Sequence, residues 1–331
     1  MIDATTPTMP AWVIHAAGGA GQFVASELPV PNPPPGHVLI RVRAFGLNRS
    51  EWFTRRGDSP SVKFPRVLGI ECVGEIAAGN EDALPLGQTV CAMMGGMGRE
   101  FDGSYAHYTC VPVECVFALD TDLDWPLLGA LPEMLQTTHG SLHTGLEIER
   151  ANNLLVRGGT SSIGFAAIAL AGAAGIKVTA TSRSAAKKDE LMAAGAHHVL
   201  IDDGLLADQA RRLEPAGFDR VLELVGASTL RDSLRATRPG GIVCMTGILG
   251  GEWRLNPFLP MDDIPTGVKL TAYSGNASDI TASELQHYVD LVGAGELAVK
   301  TGPVLPFEKL PDAHRLMDDN RASGKIVITI D

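Results

Sequence analysis

The sequence predicts an α/β chain in which a β-rich lobe is followed by a doubly wound parallel-sheet domain and a tail that returns to the first lobe. Three observations carry this. Short apolar runs with period-two alternation, punctuated by Gly and Pro, extend to about Val116. After about Asp124, apolar β-branched runs alternate with Ala-rich helical stretches, and a strand pattern closes the chain at Lys325–Thr329. The expected domains are 1–126 with 267–331, and 127–266 between them.

In the first lobe, Val38-Leu39-Ile40-Arg41-Val42-Arg43-Ala44 puts Val38, Ile40, Val42 and Ala44 on one face, which is strand periodicity. The preceding Val30-Pro31-Asn32-Pro33-Pro34-Pro35-Gly36 cannot sustain a ladder and reads as a connector. In the second domain, 153–156 reads as a strand, 163–174 as a helix, 177–180 as a strand and 185–194 as a helix. Strands at 220–223 and 241–245 continue the βαβ rhythm. An extended stretch at 268–273, a helix at 283–293 and the closing strand complete the plan, with no internal repeat.

The 331 residues are 45% hydrophobic, which suits a soluble globular chain of about two domains. Lys plus Arg (27) against Asp plus Glu (38) gives a net charge of −11, so nucleic acid and anionic membrane are not expected partners. The longest apolar run, 163–178, is broken by Lys177 and falls short of the ~18–20 residues a membrane span needs. No basic region or long apolar core precedes Trp12, so the expected address is cytoplasmic. Cys72, Cys91, Cys110, Cys115 and Cys244 are odd in number and scattered, and they read as reduced, mostly buried thiols.

Arg157-Gly158-Gly159-Thr160-Ser161-Ser162-Ile163-Gly164 joins a strand to an Ala-rich helix, as a pyrophosphate-binding turn must. Gly159, Thr160, Ser161, Ser162, Ile163 and Gly164 are the candidate contacts. Ser161 stands where the G-x-G-x-x-G pattern has its middle Gly, so its side chain must turn away from the phosphates or donate a hydroxyl to them. A plain tight strand-to-helix turn is the blander reading. At the end of the next strand, where an NAD site needs an acid for the ribose hydroxyls, stand Thr181-Ser182-Arg183-Ser184, followed by Lys187. Ser182, Arg183, Ser184 and Lys187 suit a 2′-phosphate, which points to NADPH; a solvated helix start is the alternative.

These segments resemble the medium-chain dehydrogenase/reductase superfamily, and within it the zinc-independent quinone oxidoreductase branch. The resemblance runs in order through 35–42, Gly46-Leu47-Asn48, 69–74, Gly103-Ser104-Tyr105-Ala106, 157–164, Glu223-Leu224-Val225-Gly226 and Gly324-Lys325-Ile326-Val327. It implies a GroES-like catalytic domain, a Rossmann cofactor domain and an active site in the cleft. Zinc-dependent relatives place Cys where Asn48 stands and His where Ile70 stands, and neither residue here ligates Zn²⁺, so no metal is expected. The resemblance further implies that Asn48 sits beside the nicotinamide and the substrate oxygen, with Phe53 and Arg55 at the pocket wall and Thr138 near the cofactor amide. Thr246, Gly247 and Ile248 should line the nicotinamide ribose. Relatives often carry Tyr where Asp202 stands, so the adenine end differs. A homodimer through the Rossmann sheet edge near 242–248 is the analogy for assembly.

Other residues carry two readings. Tyr105 and His107 could reach the cleft, or Tyr105 could pack on the barrel. Phe258 and Trp253 could cover an apolar substrate or lie at a subunit contact. His139 and His143, four apart without a HExxH glutamate, read as packing or hydrogen-bonding histidines or as a two-His metal pair. Glu133 could be an active-site acid or a first-turn helix acid. No tyrosine is followed four residues on by Lys, and no G-x-S-x-G elbow appears. The expected activity is NADPH-dependent, metal-free hydride transfer to a quinone or α,β-unsaturated carbonyl. An NADPH-binding protein without turnover and an enoyl-thioester reductase are the alternatives, the latter lacking a basic cluster for its carrier.

Overall fold

The β-rich part of the sequence pattern forms two sheets, and the βαβ part forms one. The computed structural model describes residues 7–79, 83–319, 321 and 324–331. The chain forms two units, one of Met1–Met134, Asn276–Ala294 and Thr301–Asp331, the other of Leu135–Gly275 and Gly295–Lys300.

The first unit contains β1 (Thr8–Ile14), β2 (Phe23–Pro29), β3 (His37–Gly46), β4 (Arg66–Val67), β5 (Glu71–Ala78), β6 (Thr89–Met93), β7 (Tyr108–Pro112) and β8 (Val116–Ala118). The second contains β9 (Asn153–Arg157), β10 (Lys177–Ser182), β11 (His198–Ile201), β12 (Phe218–Glu223), β13 (Thr237–Met245) and β14 (Lys269–Ala272). The chain then returns to the first unit with β15 (Thr301–Pro306) and β16 (Lys325–Thr329).

In the first unit, β3 organises a seven-stranded sheet. It pairs with β5 along one edge, and along the other with β7 over its first half and β16 over its last residues. Val38, Ile40 and Val42 enter one apolar core while Arg41 is exposed, so the alternation in the sequence is the alternation of the pleat. The Pro-rich connector lies between β2 and β3. Antiparallel pairing of β16 with β3 sets Val327 opposite Gly46, and the N–H of Leu47 donates to Ile326 O at 2.9 Å. That register brings the C-terminal strand to the segment leading into the helix Arg49–Arg56.

The second unit is a six-stranded parallel sheet of order β11-β10-β9-β12-β13-β14. Counted from β9 the order is 3-2-1-4-5-6, which reverses between β9 and β12, and ligands bind such sheets beyond the strand C-termini at that reversal. Helices expected at 163–174 and 283–293 form as Ser162–Ala173 and Ala282–Gly293. The segment expected as one helix over 185–194 splits into a 3-10 turn at Ala185–Lys187 and a short helix Lys188–Ala193. The edge strand β11, His198-Val199-Leu200-Ile201, is an addition to the expected strands, and it is half-buried at the margin of the sheet. One expectation is corrected. Residues 242–245 lie in β13, which carries β14 on its outer side, so the edge on that side of the sheet is β14.

Candidate active site

The turn after β9 is built by three glycines that must stay small. Gly158 has φ +87°, the left-handed region that glycine tolerates. A Cβ on Gly159 would lie 3.0 Å from Thr181 O, and one on Gly164 would lie 2.5 Å from Gly158 O. Two bonds tie the turn to the end of β10, since Gly158 N–H donates to Thr181 Oγ1 and Gly159 N–H to Thr181 O, both at 3.1 Å. Ser161 turns its hydroxyl inward. It accepts from Gly164 N–H at 3.0 Å and donates to Gly158 O at 2.8 Å, capping the helix Ser162–Ala173. The N–H groups of Ser162 and Ile163, like all first-turn donors, have no intrahelical acceptor. Thr160, Ser162 and Ile163 are half-buried around them. These residues fit a dinucleotide pyrophosphate.

The neighbouring loops are fastened to this turn's strand. Glu223, at the end of β12, accepts from the N–H groups of Val225 (2.7 Å) and Gly226 (3.0 Å), and its backbone carbonyl accepts from Thr246 and Gly247. A Cβ on Gly247 would collide with Leu224 O. Thr246 Oγ1 lies 2.9 Å from Ser141 Oγ, and Ile248 follows in the same half-buried loop. Thr138 is buried on the helix Pro132–Gly140.

At the end of β10, Ser182 is buried and its hydroxyl is exchanged with the backbone of Ser184, whose own hydroxyl caps the following 3-10 turn. Arg183 is exposed. Lys187 pairs with Glu190 at 3.0 Å, and Lys300, also paired with Glu190, lies 5.0 Å above the Phe165 ring. Lys300 was not legible as part of this region because it arrives from the far end of the sequence.

In the first unit a buried polar cluster surrounds Asn48. Lys325 Nζ donates to Asn48 Oδ1, lies 2.7 Å from Glu71 Oε1 and donates to Glu133 Oε2 at 2.9 Å. Asn48 Nδ2 donates to Glu71 Oε1 at 3.0 Å and to Glu51 Oε1 at 3.2 Å. Glu51 Oε1 also accepts from Ile70 N–H at 3.2 Å, and Glu71 Oε2 from Glu133 N–H at 2.8 Å. A Cβ on Gly46 would lie 2.5 Å from Glu71 Oε1, so that glycine makes room for the cluster. Burial pushes Glu51 up to about 7, helped by the Glu71 charge and opposed by Lys325. Glu71 is raised by burial against the same ammonium, and Lys325 is raised because Glu133 and Glu71 outweigh its own burial.

Comparison with known proteins matches both halves of the chain. The alcohol dehydrogenase GroES-like domain matches residues 34–121, and the zinc-binding dehydrogenase family matches 194–328. A 2-haloacrylate reductase from a Burkholderia species is 27% identical over 96% of this chain and 97% of its own length. The human quinone oxidoreductase is 26% identical over 92% of each chain.

The chain belongs to the medium-chain dehydrogenase/reductase superfamily.

Within the superfamily it falls on the quinone oxidoreductase branch. Among solved structures, an NAD-dependent alcohol dehydrogenase superposes with a TM-score of 0.86 at 25% identity, covering 98% of this chain and 100% of the other. A mycobacterial protein, Rv1454c, complexed with NADPH, gives 0.85 at 23% identity, covering 97% and 100%, a likeness of fold.

The zinc named by one matching family does not fit the residues at Asn48. Neither the Asn48 amide nor the alkyl chain of Ile70 is a zinc ligand, and the oxygens that could face a cation already hold the Lys325 ammonium. Among the described residues no group of three His, Cys, Asp or Glu is placed to hold a metal. His139 and His143 stack at 4.3 Å between ring centroids, with His143 Nδ1 bonded to Glu149.

The first unit draws three expected pocket residues into its interior. Tyr105 is fully buried among Phe23, Phe45 and His314, and its hydroxyl lies 3.1 Å from His314 Nε2, so the structure places it in the core. Arg55 is likewise fully buried, with Nη2 2.5 Å from Asp318 Oδ1, and Phe53 is buried beside Trp52. In the second unit Phe258 and Trp253 are exposed, as are Leu259 and Met261. Asp202 is held by Arg157 beneath the glycine turn. Among the described residues no helix is long and apolar enough to cross a membrane.

Proposed function

We propose that this chain is an NADPH-dependent reductase that adds hydride to a quinone or an α,β-unsaturated carbonyl without a bound metal. The observation that carries the reading is the Lys325 ammonium seated among Asn48, Glu71 and Glu133. An electron-poor carbon needs positioning more than Lewis-acid polarisation, so a cluster filled by a tethered cation suits it better than alcohol–aldehyde chemistry.

When bound, the cofactor supplies hydride from its nicotinamide ring. Thr160, Ser162 and Ile163 would hold the pyrophosphate at the helix start, and Thr246, Gly247, Ile248 and Thr138 the nicotinamide end. Arg183 would face the 2′-phosphate, next to the hydroxyls of Ser182 and Ser184, with no Asp or Glu directly after β10 in the chain and the Asp202 carboxylate beside it paired with Arg157. Asn48, its carbonyl polarised by Lys325, would orient the substrate oxygen. Two relatives support the substrate class, being named for reduction of a haloacrylate and of quinones.

The test is a panel of quinones, enones and haloacrylates with NADPH and with NADH, with and without a chelator. Chelator-insensitive oxidation of NADPH by an electron-poor acceptor is expected. Turnover of a simple alcohol only with added zinc overturns the proposal. A second reading, cofactor binding without turnover, is favoured by the fact that both N–H groups of Asn48 are spent inside the protein. It predicts a fluorescence change with NADPH and no hydride transfer to any acceptor in the panel. A homodimer is the expected assembly, with β14 as the sheet edge on the β13 side, and sedimentation equilibrium checks it.

A further inference from the structure

Asn48 can reach a substrate oxygen only by giving up one of its two internal hydrogen bonds, and these are unequal. The acceptor at 3.0 Å, Glu71 Oε1, is also 2.7 Å from Lys325 Nζ and belongs to a carboxylate with a second N–H donor, Glu133, at its other oxygen. The acceptor at 3.2 Å, Glu51 Oε1, shares itself with Ile70 N–H. Glu51 Oε2 is buried and has no hydrogen-bond partner among the described residues. An ionised carboxylate accepts a hydrogen bond roughly twice as strongly as a neutral group does. The strength with which Glu51 grips Asn48 therefore depends on whether Glu51 carries a proton.

We propose that Glu51 is a positioning residue that frees one Asn48 N–H for the substrate oxygen when its carboxyl is neutral and holds it back when ionised. This rests on the reading of Asn48 given above. The groups facing Glu51 support a proton at rest. Its own helix supplies Asn48 and Arg55, whose buried guanidinium is committed to Asp318 and leaves Nε and Nη1 without partners. Strand β5 supplies the Glu71 carboxylate and β16 the Lys325 ammonium. The helix Pro132–Gly140 supplies Glu133, which is paired with Lys325. Tyr105 has its hydroxyl on His314, a ring that burial keeps neutral beside Arg55. The balance of burial and the Glu71 charge against Lys325 sets the ionisation at about 7, within the working range of pH.

The test is the pH dependence of kcat/KM for a quinone with saturating NADPH, from about pH 5.5 to about pH 9. The wild-type value should fall by about tenfold or more as Glu51 ionises, and Glu51→Gln should lose that alkaline limb whatever its absolute rate. An alkaline limb retained in Glu51→Gln overturns the proposal. Should that variant not fold, infrared difference spectra of the wild-type protein decide. A buried carboxylic-acid C=O band that disappears near pH 7 supports the proposal, and no such band overturns it. Asn48→Ala with wild-type kcat/KM overturns instead the reading of Asn48, and does so even where the Glu51 band titrates.

Discussion

Arg157 grips Asp202 through two parallel hydrogen bonds, Nε to Oδ2 at 2.7 Å and Nη2 to Oδ1 at 2.9 Å. The remaining donors reach Asp232 (2.8 Å), Ser233 (3.1 Å) and the carbonyls of Thr229 and Gly204, so the whole guanidinium is satisfied inside the protein. Burial works against ionisation of Asp202, and the Arg157 hydrogen bonds and charge outweigh it, holding the carboxyl below its ordinary range. Removing the cation would strand buried carboxylates. Arg157→Met should cost about 3–5 kcal/mol in urea unfolding, and adding Asp202→Asn and Asp232→Asn should recover part of the loss. A single variant as stable as wild type would show that the cluster is not tightly coupled.

Ser161 occupies a position where a side chain had two options, and it uses its hydroxyl to cap its own helix. Ser161→Ala should therefore destabilise by about 1 kcal/mol and Ser161→Gly by only a few tenths. Because the hydroxyl points into the turn, the NADPH Kd of Ser161→Gly should change by less than about threefold, as titration by fluorescence would report. A hydroxyl that bonded phosphate would give a larger loss of affinity than of stability.

Arg183 and Lys187 are not equivalent. Lys187 is drawn onto Glu190, which also holds Lys300, whereas Arg183 is exposed next to the Ser182–Ser184 turn. A charge-assisted contact to phosphate is worth about 1.5–3 kcal/mol, so Arg183→Ala should weaken NADPH binding by roughly ten- to hundredfold and leave NADH unchanged. Lys187→Ala should have the smaller effect. Equal losses for both coenzymes would remove Arg183 from the 2′-phosphate.

Periodicity and turn chemistry were enough to expose the parallel sheet and its glycine turn, because both depend on neighbours in sequence. The strands around Asn153 and Lys177 and the helix after Ser161 follow from local apolar runs and a cap. The buried charges follow from pairings far apart in sequence and were hidden. Lys325 opens an apolar closing strand, yet its ammonium is buried against Glu71 and Glu133 because β16 pairs with β3 beside Gly46. Glu51 carries no signal in the sequence that sets it apart, and only the approach of β5 turns it into a buried carboxyl. Tyr105 had two readings in the sequence, and the core around Phe23 and Phe45 selects the packing one. Arg157 stood in plain view inside the turn, but nothing local tells that it faces Asp202 and Asp232.

Glu51 also couples the cluster to folding. Its carboxyl moves from an ordinary 4.5 to about 7 in the folded protein, chiefly through burial. The folded state therefore binds this proton more tightly than the unfolded chain does. The stabilisation is complete below about pH 4.5, declines as pH rises toward about 7, and is gone above it. Over that window Glu51 should withdraw about 3 kcal/mol of stability from the wild-type protein. Glu51→Gln cannot ionise, and its amide keeps an oxygen to accept from Asn48 and Ile70. Relative to wild type, the variant should thus gain up to about 3 kcal/mol between about pH 4.5 and about pH 8 in urea unfolding. A stability difference that stays constant across that range would mean that Glu51 is already ionised in the folded protein at mildly acidic pH, with Lys325 near enough to outweigh burial.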